Sequence, residues 1–120
     1  MTPQNPESKQ RPRSVVWLHG EIKTPPFTRM ARIETGVLLR RLQNGEMIGM
    51  PASRPMPVIG RRCHELRIKD EAHEWRLIYK LDSDAILICD VFAKTTNQTP
   101  QNTIEVCRRR LALYDVASQK

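Results

Sequence analysis

Two stretches near the middle of the chain, HELRIK (64–69) and EWRLIYKL (74–81), alternate apolar and polar residues, and a third, AILICDVF (85–92), is almost wholly apolar. Successive side chains point to opposite faces of a strand, so the first two read as half-buried strands and the third as a central one. Strands are therefore predicted at Cys63–Lys69, Glu74–Leu81 and Ala85–Lys94, joined by DEAH and DSD at hairpin length. A shorter β-branched and aromatic run, SVVWLHG (14–20), predicts a first strand closed by Gly20.

The period lengthens elsewhere. Phe27, Met30, Ala31, Val37, Leu38 and Leu42 recur at helical spacing, with Arg29, Arg32, Arg40 and Arg41 filling the remainder. Thr24 is placed to cap this helix, Pro25 or Pro26 suits its first turn, and Asn44-Gly45 ends it. Gly36 weakens the helix slightly and suggests close packing against a neighbour. A last helix is entered at Thr99 and Pro100 and carries Ile104, Cys107, Leu111 and Tyr114 as its buried stripe. Its Arg108, Arg109 and Arg110 cannot all face inward, and Glu105 is spaced to pair with Arg109. Residues 46–62, with Pro51, Pro55 and Pro57, read as an irregular loop. The Pro-, Gln- and charge-rich residues 1–13 read as a disordered tail, leaving 14–120 as one domain. The order β-α-loop-β-β-β-α predicts an α+β fold, a small antiparallel sheet packed against helices on one face.

Charge changes the picture. The net charge is +7 and the isoelectric point about 9.8, which favours an anionic partner. Arginine outnumbers lysine, and guanidinium forks bind phosphate in a bidentate way, which tilts the choice toward nucleic acid. The three cysteines show no CxxC spacing, as expected of reduced thiols in the cytoplasm, and Cys89 and Cys107 fall at apolar positions. The first residues lack the apolar core of a secretory signal and no apolar run is long enough to span a membrane, so a soluble cytoplasmic protein is expected.

Strand parity then gathers candidate chemistry. Leu66, Ile68, Leu77 and Leu81 fall on a core face, while Arg67, Lys69, Arg76 and Lys80 share the other, with Lys94 close by if the register allows. Neither Arg67 nor Arg76 is predicted to be core. Such a surface suits a phosphate and the added charge of a phosphorane-like transition state. Arginine is a poor general base, so proton transfer falls to His64, Lys94 or Tyr79. Tyr79 belongs to the apolar set and reaches the site only near an edge or bulge. The plainer alternative is that Arg67 and Arg76 pair with Glu65 and Glu74 across the hairpin. Cys63, His64 and His73 lack zinc-site spacing, so no metal is expected, and nothing calls for a cofactor. Unaided, the residues lead to a small basic α+β domain binding RNA or DNA.

The run HELRIKDEAHEWRLIYKLDSDAILICDVFAKTTNQTP, followed by IEVCRRRL, resembles toxins of the RelE/ParE superfamily, in particular the phage-derived HigB-like group. The shared pattern is an E-L-R strand, then R-x-x-Y, then an apolar strand ending F-x-K-K, closed by a basic helix, and it covers roughly residues 14–115. The resemblance implies the toxin of a type II toxin–antitoxin pair, neutralised by an antitoxin encoded beside it. It also implies cleavage of ribosome-bound mRNA without a metal, the 2′-hydroxyl attacking the adjacent phosphate. By that match Arg67 and Arg76 form a phosphate clamp, Lys94 contacts phosphate or moves a proton, and Tyr79 stacks a base or orients a phosphate. Thr95 stands where the pattern has its second lysine. ParE-like members share the fold but poison DNA gyrase, and a non-catalytic nucleic-acid-binding remnant of a phage gene is a third possibility.

Overall fold

The computed structural model describes residues 11–18, 26–71, 73–95 and 98–119. The first ten residues of the predicted tail, Gly20 and the Thr24 cap lie outside them. The described elements are β1 (Ser14–Trp17), α1 (Arg29–Gln43), β2 (Ser53–Pro55), β3 (Cys63–Lys69), β4 (Glu74–Leu81), β5 (Ala85–Ala93) and α2 (Gln101–Ser118). The strands form one five-stranded sheet in the order β1-β5-β4-β3-β2.

The α+β class holds, and β3, β4 and β5 form the expected antiparallel meander. Three features depart from expectation. β1 pairs with β5 in parallel, so the sheet is mixed. The proline-rich loop contributes a strand, β2, on the outer edge of β3, where Pro55 costs no ladder bond on the solvent side. And the helices cover opposite faces. Phe27, just before α1, and Ala31, Leu38 and Leu42 of α1 pack with Leu66, Ile68, Leu77, Tyr79 and Ile86, while α2 sets Ile104, Cys107 and Leu111 against Ile78, Leu87 and Cys89. The reason lies in β5, whose first five residues, Ala85 to Cys89, are all buried. A strand apolar on both sides needs cover on both sides.

α1 begins one turn later than expected. Its cap is Thr28, whose Oγ accepts from the Ala31 amide at 3.2 Å. Asp70, at the end of the β3–β4 hairpin, fixes that cap by accepting from Thr28 Oγ at 2.6 Å and from the Thr28 amide at 3.0 Å. The same carboxylate accepts from the Trp75 indole at 3.1 Å, and Trp75 meets Phe27 edge-on at 5.2 Å. One acid therefore ties helix start, hairpin and aromatic core together. These bonds, the Thr28 hydroxyl first, hold the Asp70 carboxyl well below the usual range. The helix ends as expected in a Schellman motif: Glu46 N donates to Arg41 O, Gly45 N to Leu42 O, and Gly45 takes the positive φ of 92° that the turn requires. Gly36, by contrast, has no close neighbour among the described residues; apart from its own helix backbone, a Cβ there would meet no atom of theirs within 4 Å.

Arg13, assigned by composition to the tail, is anchored. Its guanidinium donates to the carbonyls of Asp82 and Leu42, each at 2.9 Å. On α2 the three arginines diverge: Arg110 donates to Cys89 O at 2.6 Å and lies 3.5 Å from Asp90, Arg108 donates to Val58 O, and Arg109 is exposed. Glu105 accepts from Gln101 at 3.4 Å and forms no ion pair with Arg109. Among the described residues no helix is long and apolar enough to cross a membrane.

Candidate functional site

The candidate site lies on the α2 side of the meander. Arg67 and Arg76 are direct cross-strand partners, Arg76 also faces Phe92, and Lys94 follows β5 on the same side with its amide donating to Glu74 O at 2.8 Å. Like charges directly opposite destabilise a sheet, so this pairing needs anions nearby. Two are present. Glu65 Oε1 accepts from Arg76 Nη1 at 2.9 Å and lies 3.9 Å from Arg67 Nε, while Glu65 Oε2 accepts from Thr99 Oγ1 at 2.7 Å. Glu74 Oε1 accepts from Arg76 Nη2 at 2.8 Å and lies 3.3 Å from Lys94 Nζ. The result is an alternating chain, Arg67–Glu65–Arg76–Glu74–Lys94, with one positive charge in excess.

Exposure divides these groups. The Arg76 side chain is 7 % exposed, whereas Arg67 is 26 % and Lys94 33 %. Arg76 is thus an interior strut between two carboxylates, contrary to its predicted wet position. The pairing of arginines with Glu65 and Glu74 is the arrangement observed. Burial would push Glu74 up, but the Lys94 hydrogen bond and the charges of Arg76 and Lys94 outweigh it and hold Glu74 below its ordinary value. The Nε atoms of Arg67 and Arg76 are both buried without a hydrogen-bond partner among the described residues.

Tyr79 and His64 are not part of this cluster. The pairing of β4 and β5 slips between Ile78 and Tyr79, but the unpaired residue, Cys89, is on β5, so β4 keeps its alternation. Tyr79 consequently points to the α1 side, fully buried, with its hydroxyl 2.7 Å from Ser53 Oγ. His64 stacks on it at 5.3 Å, and burial lowers its pKa. Of the four residues taken from the resemblance, the structure brings together Arg67, Arg76 and Lys94 and leaves Tyr79 across the sheet.

The hollow over Arg76, walled by Phe92, Lys94, Thr95, Thr99 and Pro100, has a volume of about 10 Å³, enough for one water and far too small for a nucleotide. A larger groove of about 420 Å³ opens at Arg67, between Glu34 of α1, Pro51, Ala52, Lys69 and Glu74. Of the three cluster cations, Arg67 is the one that lines this groove. Thr99 escaped sequence reasoning, since its contact with Glu65 joins residues 34 positions apart with no local signal. Among the described residues no group of three or more His, Cys, Asp or Glu side chains is arranged to hold a metal. The three cysteines are buried free thiols, and burial pushes Cys63 up to about 11.

Comparison with known families finds a match. The model of the family described as phage derived protein Gp49-like (DUF891) matches residues 26–112, from just before α1 into α2 and across the whole cluster. No curated protein matches the chain.

Proposed function

The chain belongs to the Gp49-like family of phage-derived proteins, a family associated with RelE/HigB-type toxins, and from that footing we propose that it is the toxin of a type II toxin–antitoxin pair. In this reading it acts in the cytoplasm as a metal-independent endoribonuclease on ribosome-bound mRNA, and a cognate antitoxin restrains it. The observation that carries the reading is the gathering of Arg67, Arg76 and Lys94 from three strand ends onto one face, with net positive charge.

In the proposed reaction the 2′-oxygen of one nucleotide attacks its 3′-phosphorus and the bond to the next 5′-oxygen breaks. A 2′,3′-cyclic phosphate and a 5′-hydroxyl end result. The 2′-proton is lost to water, and Lys94 gives a proton to the departing oxygen. Arg67, the accessible guanidinium, takes the charge that builds on the non-bridging oxygens. Arg76 positions Glu65 and Glu74 and so holds the other two cations in place. Tyr79 is given no contact with RNA.

Induced expression should arrest growth and produce 5′-hydroxyl mRNA fragments cut inside translated codons, and Arg67→Ala should restore growth. Normal growth with intact transcripts at high expression overturns the proposal.

Three observations favour readings without cleavage. The cluster cations are largely matched by carboxylates and the hollow above Arg76 is small, which suits a protein that binds without cutting. Thr95 in place of a lysine points the same way. A ParE-like inhibitor of DNA gyrase would give DNA damage with unbroken mRNA and would block supercoiling in vitro. A non-catalytic remnant would give salt-sensitive RNA binding and no cleavage.

A further inference from the structure

α1 presents a second apolar stripe, on the side away from the core. Its buried residues are Ala31, Thr35, Leu38 and Leu42. Met30, Ile33 and Val37 lie instead in solvent, 74 %, 50 % and 54 % exposed. Their spacing of three and then four residues puts them in one narrow line along the helix. Scattered surface apolar residues need no explanation, but a contiguous row of large ones does.

The row has the form of a coiled-coil seam, with Met30, Ile33 and Val37 at successive a, d and a positions. A core-facing helix in a globular domain carries a wider stripe, and a strict a/d line is what a single partner helix covers. The next d position is Arg40, so the seam is short and ends in charge. Arg29 and Arg41 hold flanking g and e positions, against Glu34 as the one acid there. Arg41 is paired with Glu46, whereas Arg29, Arg32 and Arg40 have no ion pair among the described residues. The seam is apolar along its line and cationic at its rim.

We propose that the outer face of α1 docks one amphipathic helix of a partner protein, with an apolar line for Met30, Ile33 and Val37 and carboxylates opposite Arg40 and Arg29. A second copy of this chain fits poorly, because a parallel pairing sets Arg40 against its own counterpart, an antiparallel one buries it against the apolar line, and each copy carries +7. Single-stranded RNA fits the arginines but leaves three large apolar side chains uncovered. The seam borders the groove at Arg67, to which α1 contributes Glu34, so a helix seated there stands beside the cation cluster. The docking face does not rest on the proposed RNA cleavage, since neither Ile33 nor Arg40 belongs to that cluster.

The test uses the full chain and two fluorescent helical peptides with the same leucine a/d line, one flanked by glutamate and one by lysine. Anisotropy should show the acidic peptide binding roughly tenfold or more tightly. Ile33→Glu should abolish binding, and Arg40→Glu should reverse the preference between peptides. Both positions are exposed, so thermal melts of the two variants should match the parent. The proposal is overturned by equal binding of both peptides, by binding to neither, or by binding that Ile33→Glu leaves intact. It is also overturned if Ile33→Glu dissolves a dimer in sedimentation velocity, or if a 12-nucleotide RNA competes for the same face.

Discussion

Arg67 and Arg76 stand directly opposite one another across β3 and β4 and share a single carboxylate, Glu65, which lies 2.9 Å from one and 3.9 Å from the other. The two arginines are equivalent by parity but not by burial, and that difference separates their roles. Removing Arg76 leaves Glu65 buried without its closest countercharge, a loss that costs about 3 kcal/mol. Arg67→Ala removes a partly exposed and weakly paired group and should cost less than about 1 kcal/mol. Urea denaturation of both variants checks the contrast. A small loss for Arg76→Ala would mean that Thr99 and Arg67 together satisfy Glu65.

Gly36 sits in the interior of α1 with open space where a Cβ would go. Gly36→Ala should therefore raise stability by about 0.5–1 kcal/mol, chiefly by restricting the unfolded chain. An unchanged or lower urea midpoint would contradict the open surroundings of that turn.

Acid should weaken the fold chiefly through Asp70. Its carboxyl titrates lower in the folded chain than in the unfolded one, because Thr28 and Trp75 donate to its charged form. Stabilisation of this sign is complete above the unfolded value, about 3.9, and is lost as pH falls toward the folded value. Glu74, also lowered, acts in the same direction. Urea midpoints measured between about pH 6 and pH 2.5 should decline below about pH 4. Asp70→Asn should flatten that decline, and a variant with the parent's slope would remove Asp70 from the account.

Tyr79 offers a test of placement. Its hydroxyl bonds only to Ser53 among the described residues, on the face away from the cations. Tyr79→Phe should lower stability by about 1 kcal/mol and, on the proposed endoribonuclease reading, leave growth arrest and RNA cleavage at parent levels. Loss of cleavage in a folded Tyr79→Phe variant would bring the tyrosine back into the chemistry.

Periodicity was a good guide wherever one face of an element decides its burial. β3 and β4 have the predicted bounds, and α2 buries Ile104, Cys107 and Leu111 as its spacing requires. What stayed hidden depends on partners distant in the chain. The helix cap at Thr28 is fixed by Asp70, 42 residues away, a partner that no local pattern around the helix start announces. Alternation placed Arg76 on the correct face and allowed its pairing with Glu65 and Glu74, but it gave no sign that the Thr99 segment would wall in the hollow above it. The apolar character of Ala85–Cys89 did carry the signal for helices on both faces.

The shortness of the outermost strands has a consequence for handling the protein at high concentration. β2 and β1, at the two rims of the sheet, run for three and four residues, and β2 ends in proline. Both rim strands are short for templating a foreign strand, and the apolar first half of β5, Ala85–Ile88, is enclosed between β1 and β4. Clumping should thus begin only once the fold itself has opened.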